Sequence, residues 1–336
     1  MDLNIDHDDE LIQYLDQELS IESNSISGIE TLAGGVSNRT RKIKFTKGNS
    51  WVIKQALSTL RVEELWESNP DRILRESAAL VWLNTSTKVS TPQLIHEDGT
   101  QFIIIMDAIP APFQNSKTWL LEGHMDQNYF IRCGDMLGEI HSQSDDPSSF
   151  PELMKDQSYF ESLRLNPFYE ASALSIPATS EFYNDLVHKS RQKPWCLVHG
   201  DFSPKNILMK DDHLILIDHE VMHFGEGSFD LGFFMSHILG KANHIPENRN
   251  ELIDSLVHFL EEYEKHIPLT PDYEELIIAQ CLGCLLARIV GKSPLPYLSS
   301  REKAVQQSIS LQLMKNTPKG IHKFLNQYKQ SLYAYN

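Results

Sequence analysis

The stretch Trp195-Cys196-Leu197-Val198-His199-Gly200-Asp201-Phe202-Ser203-Pro204-Lys205-Asn206-Ile207-Leu208-Met209 decides how this chain is read. A short apolar run, Cys196–Val198, leads into a polar loop. A second run, Leu214–Ile217, follows a turn and ends in Asp218-His219-Glu220. His-Gly-Asp alone is an ordinary turn, and Asp-His-Glu after a strand is an ordinary loop end. Their order and spacing carry more. Phosphoryl transfer needs one carboxylate to orient an attacking hydroxyl and accept its proton, and hard oxygen ligands for the Mg2+ that bridges nucleotide phosphates. Asp201 suits the first role. Asn206 and Asp218 suit the second, and Glu220 lies close enough in sequence to reach a second metal.

Upstream, the hydrophobic period changes twice. Residues 1–25 read as an acidic amphipathic helix and a Ser/Asn turn. Ile29–Leu32, Arg39–Phe45 and Ser50–Gln55 read as strands, separated at Gly34-Gly35 and Lys47-Gly48-Asn49. Asp71–Leu83 has helical spacing. Gln93–His96 and Phe102–Asp107 read as two more strands, with Asp98-Gly99 as a tight turn between them. After Pro110 and Pro112 the chain is mostly helical, apart from the stretch Cys196–Asp218. The expected fold class is α+β in two lobes. Residues 1–109 form a small antiparallel-sheet lobe that binds nucleotide. Residues 110–336 form a larger helical lobe that holds the catalytic and substrate groups, with the cleft between them as the ligand site.

Composition narrows the partners. The chain has 336 residues, 41% of them hydrophobic, and a formal net charge of −16. Such acidity argues against nucleic acid or an anionic membrane and would suit a cationic substrate. No run of about 18 apolar residues is present. The acidic start lacks the basic and apolar segments of a secretory signal, so a cytoplasmic location is expected. Cys281 and Cys284 fall in the apolar segment Leu276–Gly291 and read as core residues, not as metal ligands.

The loop and the Asp218-His219-Glu220 segment resemble the aminoglycoside phosphotransferase/choline kinase superfamily. Its catalytic loop reads His-Gly-Asp-x-x-x-x-Asn and its metal site Ile-Asp-x-Glu. The resemblance implies a protein-kinase-like fold with ATP and Mg2+ as cofactors. It implies transfer of the γ-phosphate to a hydroxyl of a small molecule, with Asp201 as the catalytic base. It extends over the N-terminal lobe, where such an enzyme needs a glycine turn, a strand lysine and a helix carboxylate. Gly34, Gly35, Val36, Ser37 and Asn38 fit the turn, Lys54 the phosphate-binding lysine, and Glu76 its partner. Met106, Asp107 and Ala108 correspond to the link whose backbone bonds adenine, with Ile53 and Ile217 as candidates for the apolar sandwich around the base. Asp230 matches an aspartate that braces the catalytic loop.

Several motifs are nearest to 5-methylthioribose kinase: Leu32–Asn38, Val52–Leu57, the loop bearing Trp66, and Arg288-Ile289-Val290-Gly291. They imply that Trp66 and Arg288 contact the acceptor together with Asp201, and they leave room for a homodimer. Ala287 replaces the first arginine of the pair in those kinases, and Asn206 follows the aminoglycoside and choline kinase pattern. The acceptor therefore stays open among a methylthioribose-like pentose, an amino alcohol and an aminoglycoside. Two rivals are a protein kinase-like enzyme, which needs Asp-Phe-Gly where Asp218-His219-Glu220 stands, and a non-catalytic nucleotide-binding module, which usually lacks the lysine, base or metal ligand.

Overall fold

A computed structural model describes residues 3–32, 35, 37–61 and 66–335. Helix α1 (Asp8–Leu19) precedes β1 (Ile26–Thr31), β2 (Asn38–Phe45) and β3 (Trp51–Ala56). Helix α2 (Arg72–Ser86), β4 (Leu94–Asp98) and β5 (Ile103–Asp107) complete the N-terminal lobe. The five strands form one antiparallel sheet in the order β1-β2-β3-β5-β4.

Strand alternation decides what each face holds. Ile43, Ile53, Ile103 and Ile105 pack against Leu11 and Leu15 of α1. Ala56, Ile104 and Met106 pack on the other face against Ile73 and Leu80 of α2. β5 is thus buried on both sides and reads as a continuous Ile-Ile-Ile-Met run. Lys54 shares a face with Ala56, the face that α2 covers. Ile53 packs under α1 instead, whereas Val52 lies on the side of Lys54. A one-residue shift along a strand reverses the face. The turn before β5 is also longer than the Asp98-Gly99 signal suggests. Asp98 Oδ1 accepts the N–H groups of Thr100 and Gln101, and Phe102 has φ 52°.

The C-terminal lobe opens with β6 (Gln114–Asn115), α3 (Ser116–Leu121), α4 (Gln127–Ser142), α5 (Ser158–Phe160), α6 (Ala171–Ser175) and α7 (Ser180–Arg191). A π-helical segment, Glu161–Glu170, joins α5 to α6 and contains Pro167. Strands β7 (Cys196–Val198), β8 (Ile207–Lys210), β9 (His213–Leu216) and β10 (His223–Gly225) carry the loops of interest. Helices α8 (Ser228–His244), α9 (Arg249–Glu264), α10 (Pro271–Val290), α11 (Ser300–Lys315) and α12 (Ile321–Ala334) follow.

Helix α8 is the axis of this lobe, with every residue from Ser228 to Asn243 buried. Its apolar residues occur all round the helix, the pattern of a core helix. Gly232 lets α10 approach closely: a Cβ there would stand 2.5 Å from Gln280 Cβ and 2.6 Å from the Cys281 nitrogen. Cys281 and Cys284 are buried, unbridged core residues. Among the described residues no helix is long and apolar enough to cross a membrane.

Candidate active site

β7 delivers the chain into the loop that starts at His199. Gly200 has φ 75°, and a Cβ there would lie 2.7 Å from Val221 Cγ1, so both conformation and space call for glycine. The buried Asp230, in the first turn of α8, accepts the N–H of His199 at 2.6 Å and of Gly200 at 2.9 Å. His141 Nε2 lies 3.4 Å from the same carboxylate, and its Nδ1 lies 2.8 Å from the Tyr263 hydroxyl. The N–H of Asp201 meets His199 Nδ1 at 3.2 Å, which requires that nitrogen to be unprotonated. Burial pushes the His199 imidazole below its ordinary range. It is a neutral support of the turn.

Asp201 therefore projects from a fixed backbone. Its Oδ2 receives Asn206 Nδ2 at 2.8 Å and Lys205 Nζ at 3.1 Å, and Arg164 Nη2 stands 3.2 Å away. Burial would raise this carboxyl, but Lys205 and Arg164 outweigh burial and hold it below the usual carboxylate range. Arg164 comes from the π-helical segment and also donates to the Gly200 carbonyl at 2.6 Å. It belongs to no linear motif, and sequence reasoning missed it. The widened turn around Pro167 is its only sequence trace.

The hairpin β8–β9 brings Asp218 back beside this loop: Ile207 pairs with Leu216, and the Ile217 N–H donates to the Asn206 carbonyl at 3.0 Å. Asp218 has φ 71°, a left-handed conformation that a short polar residue tolerates and that recurs at functional sites. Lys54 Nζ lies between Glu76 Oε1 at 2.6 Å and Asp218 Oδ1 at 2.9 Å. Burial works against the charge on Lys54, but Asp218 and Glu76 outweigh it and raise the ammonium above its ordinary range. Burial raises Glu76 to about 7, against the pull of Lys54. Asp218 would also rise on burial, but Lys54 holds it well below the carboxylate range.

The glycine turn is seen in part. Gly34 and Val36 lie outside the described residues. Gly35, Ser37 and Asn38 line the cleft. Glu220, expected near the metal, lines the same cavity and accepts Asn38 Nδ2 at 3.0 Å and Arg72 Nε at 3.1 Å through one oxygen, Oε2. Arg72 is fully buried and also donates to the Ser37 carbonyl. It ties α2, the turn and the Asp218–Glu220 segment together. Its signal was available: Arg72 and Glu76 are four apart on one helix, so they share a face.

At the lobe link, the N–H groups of Asp107 and Ala108 are already engaged with the carbonyls of Gln93 and Ser50. Trp66 is buried, donates its Nε1–H to the Ser162 carbonyl at 3.0 Å, and packs with Leu60 and Leu163 at the cleft wall. Arg288 donates to Ser293 Oγ at 2.7 Å and lies 5.6 Å from the centre of the Phe168 ring. Lys54, Asp201, Asp218, Trp66 and Arg288 all line one cavity of about 320 Å3. A larger hollow of about 710 Å3, between α7 and α10, contains none of them.

Asp218 and the amide oxygen of Asn206 are hard oxygen donors, and Asp218 is ionised. One or two such groups plus phosphate oxygens are the usual protein share of a Mg2+ site. The residues present therefore fit a divalent cation held together with a nucleotide. Among the described residues no cluster of three or more His, Cys, Asp or Glu forms a metal cage of its own.

Residues 28–269 match the phosphotransferase enzyme family, APH. The chain belongs to this family. Methylthioribose kinase of Bacillus velezensis is 24% identical over 217 residues, which is 57% of this chain and 55% of that enzyme. The Yersinia pseudotuberculosis methylthioribose kinase is 26% identical over 244 residues, 62% of this chain and 58% of its own. The chain thus spans a little over half the length of these relatives. Amicoumacin kinase hAmiN, solved in complex with AMP-PNP, Ca2+ and Ami, shares the fold with a TM-score of 0.56 and 15% identity, over 92% of this chain and 96% of that one. The two-lobed kinase-like architecture expected from the sequence is the one found.

Proposed function

We propose that this member of the phosphotransferase family is an ATP- and Mg2+-dependent small-molecule kinase. It moves the γ-phosphate to an acceptor hydroxyl, with Asp201 as the base. The observation that carries the reading is the convergence of Asp201 and the Lys54–Glu76–Asp218 chain of ion pairs on one cleft.

In this reading Lys54, charged and held by Glu76, positions nucleotide phosphates, and Gly34–Asn38 covers them. Asp218 and Asn206 would hold the divalent cation, which when bound neutralises phosphate charge. Glu220 serves as the brace of Arg72 and the glycine turn. The base lies against the link at Met106–Ala108 beside Val52. Ile109 supplies the next backbone donor, since those of Asp107 and Ala108 are spent in the sheet. Asp201, kept ionised by Lys205 and Arg164, orients the acceptor hydroxyl and takes its proton as the oxygen attacks phosphorus. Trp66 and Arg288 flank the acceptor. The lobe boundary falls at 109/110, where β5 hands over to the link, and the enzyme works in the cytoplasm.

The test is ADP release with MgATP across a panel of hydroxyl compounds, followed by the mass of the product. A product heavier by one phosphoryl group supports the reading. Nucleotide binding with no transfer to any acceptor favours the non-catalytic alternative.

A further inference from the structure

The chain is strongly acidic, yet the acceptor side of the cleft is not. Among the described residues, the carboxylates lining the cavity are Asp201, Asp218 and Glu220. Lys54 takes Asp218, and Arg72 takes Glu220. Asp201 is left to face Arg164 and Lys205, with Arg288 on the same wall. Behind that wall, α8 carries His237 and Lys241 among its buried residues. His237 is buried and lines the cavity, and its Nε2 has no hydrogen-bond partner among the described residues. Lys241 is fully buried. Among the described residues its Nζ meets only the His237 carbonyl at 3.3 Å and the face of the Tyr297 ring at 5.7 Å, and no carboxylate of theirs pairs with it. Arg288 Nε is likewise buried without a partner. Glu302, a charge neighbour of Tyr297, is already bound by His244 and the Ser299 N–H.

An unpaired buried ammonium is costly, and removing its charge should stabilise a fold that did not need it. The surrounding charges deepen the cost. Burial drives Lys241 down to about 7, and Lys117 and Arg288 push in the same direction. After burial, the groups that lower His237 are Arg288, Lys241, Lys205 and Lys117, all cations. A core that keeps several like charges together around an open cavity is arranged for a charge of the opposite sign.

We propose that the acceptor is an anionic hydroxy compound, whose carboxylate or phosphate group is bound by Arg288 and His237 with Lys241 behind them, while its hydroxyl meets Asp201. This rests on the kinase reading and narrows it, excluding polycationic aminoglycosides and cationic amino alcohols as the principal acceptor.

The test is calorimetry on the full chain, without nucleotide and then saturated with Mg-AMP-PNP. Inorganic phosphate and gluconate are the probes, with glucose and kanamycin as neutral and cationic controls. The expected result is saturable binding of one anion per chain, retained with nucleotide bound and weakened at least about tenfold by Arg288→Gln and by Lys241→Met. Phosphate binding alone marks a phosphorylated acceptor, and gluconate binding alone marks a hydroxy acid. Lys241→Met should also raise the thermal unfolding midpoint of the unliganded protein, which separates a binding role from a structural one. Three results overturn the proposal: no saturable anion binding, binding that both variants leave unchanged, or tighter binding of kanamycin than of either anion. Failure to bind Mg-AMP-PNP would instead overturn the kinase reading, since anion binding is measured without nucleotide as well.

Discussion

Lys54 Nζ on β3 donates to Asp218 Oδ1, beyond β9, at 2.9 Å, and this bond joins the sheet to the loop region of the helical lobe. The same ammonium reaches Glu76 on α2. Replacing Lys54 by Met removes the cation and leaves the buried Glu76 facing the half-buried Asp218. Binding of Mg-AMP-PNP should weaken by at least about tenfold, and stability should fall by roughly 3 kcal/mol. Calorimetry and urea unfolding measure the two effects. Unchanged nucleotide affinity in a folded Lys54→Met protein would remove Lys54 from the nucleotide site.

Arg72 and Glu220 form the second link between lobes. Arg72→Met strands Glu220 among buried groups and should cost about 3–5 kcal/mol in urea unfolding. The double variant Arg72→Met/Glu220→Met should lose less than the sum of the singles, with a coupling of about 1–3 kcal/mol. Additive losses would mean that the two side chains act independently.

Those two links show what was legible in the sequence. Lys54, Glu76, Asp201, Asn206 and Asp218 were legible because the family resemblance gives each a fixed offset in a strand, helix or loop, and folding brings them together. The five-strand sheet was legible for the same reason, to within a few residues at each end. Ile53 went wrong because alternation gives two faces without saying which of them faces the nucleotide; the packing of α1 decides that. Arg164, His237 and Lys241 were invisible for another reason. Arg164 and His237 reach the cleft through a π-helical turn and the axis of a core helix, Lys241 lies behind it, and only tertiary packing brings them together. The overall acidity suits a cationic acceptor, whereas Arg164, Lys205 and Arg288 line the cavity beside Asp201. Net charge sums over the surface, and the wall is a small part of it.

Buried histidines set the acid response. Burial pushes His223 down to about 4, lowers His199, and drives His219 and His237 well below the ordinary value of 6.5. Between pH 6.5 and about 4 the unfolded chain takes up protons that the folded chain refuses, so stability falls as pH drops through this window. Glu76, raised to about 7 from 4.5, acts in the opposite sense, since the folded chain gains a proton first. The four histidines outweigh it. Unfolding free energy from urea titrations should therefore decline from pH 7 to pH 4.5. His223→Phe, which keeps the stack on Phe160 at 4.4 Å, should reduce the slope by up to about 1.4 kcal/mol per pH unit. A flat or rising profile toward acid would contradict the burial of these rings in the folded state.

The measurement that bears most directly on the central claim is turnover of Asp201→Asn against its nucleotide affinity. Asparagine preserves size and can still bond Asn206, but it cannot accept the hydroxyl proton. With an acceptor identified by ADP release, the account predicts a fall in kcat of about a thousandfold or more, with Mg-AMP-PNP affinity within about threefold of the parent. A folded Asp201→Asn protein that keeps near-parental kcat would contradict the assignment of Asp201 as the catalytic base.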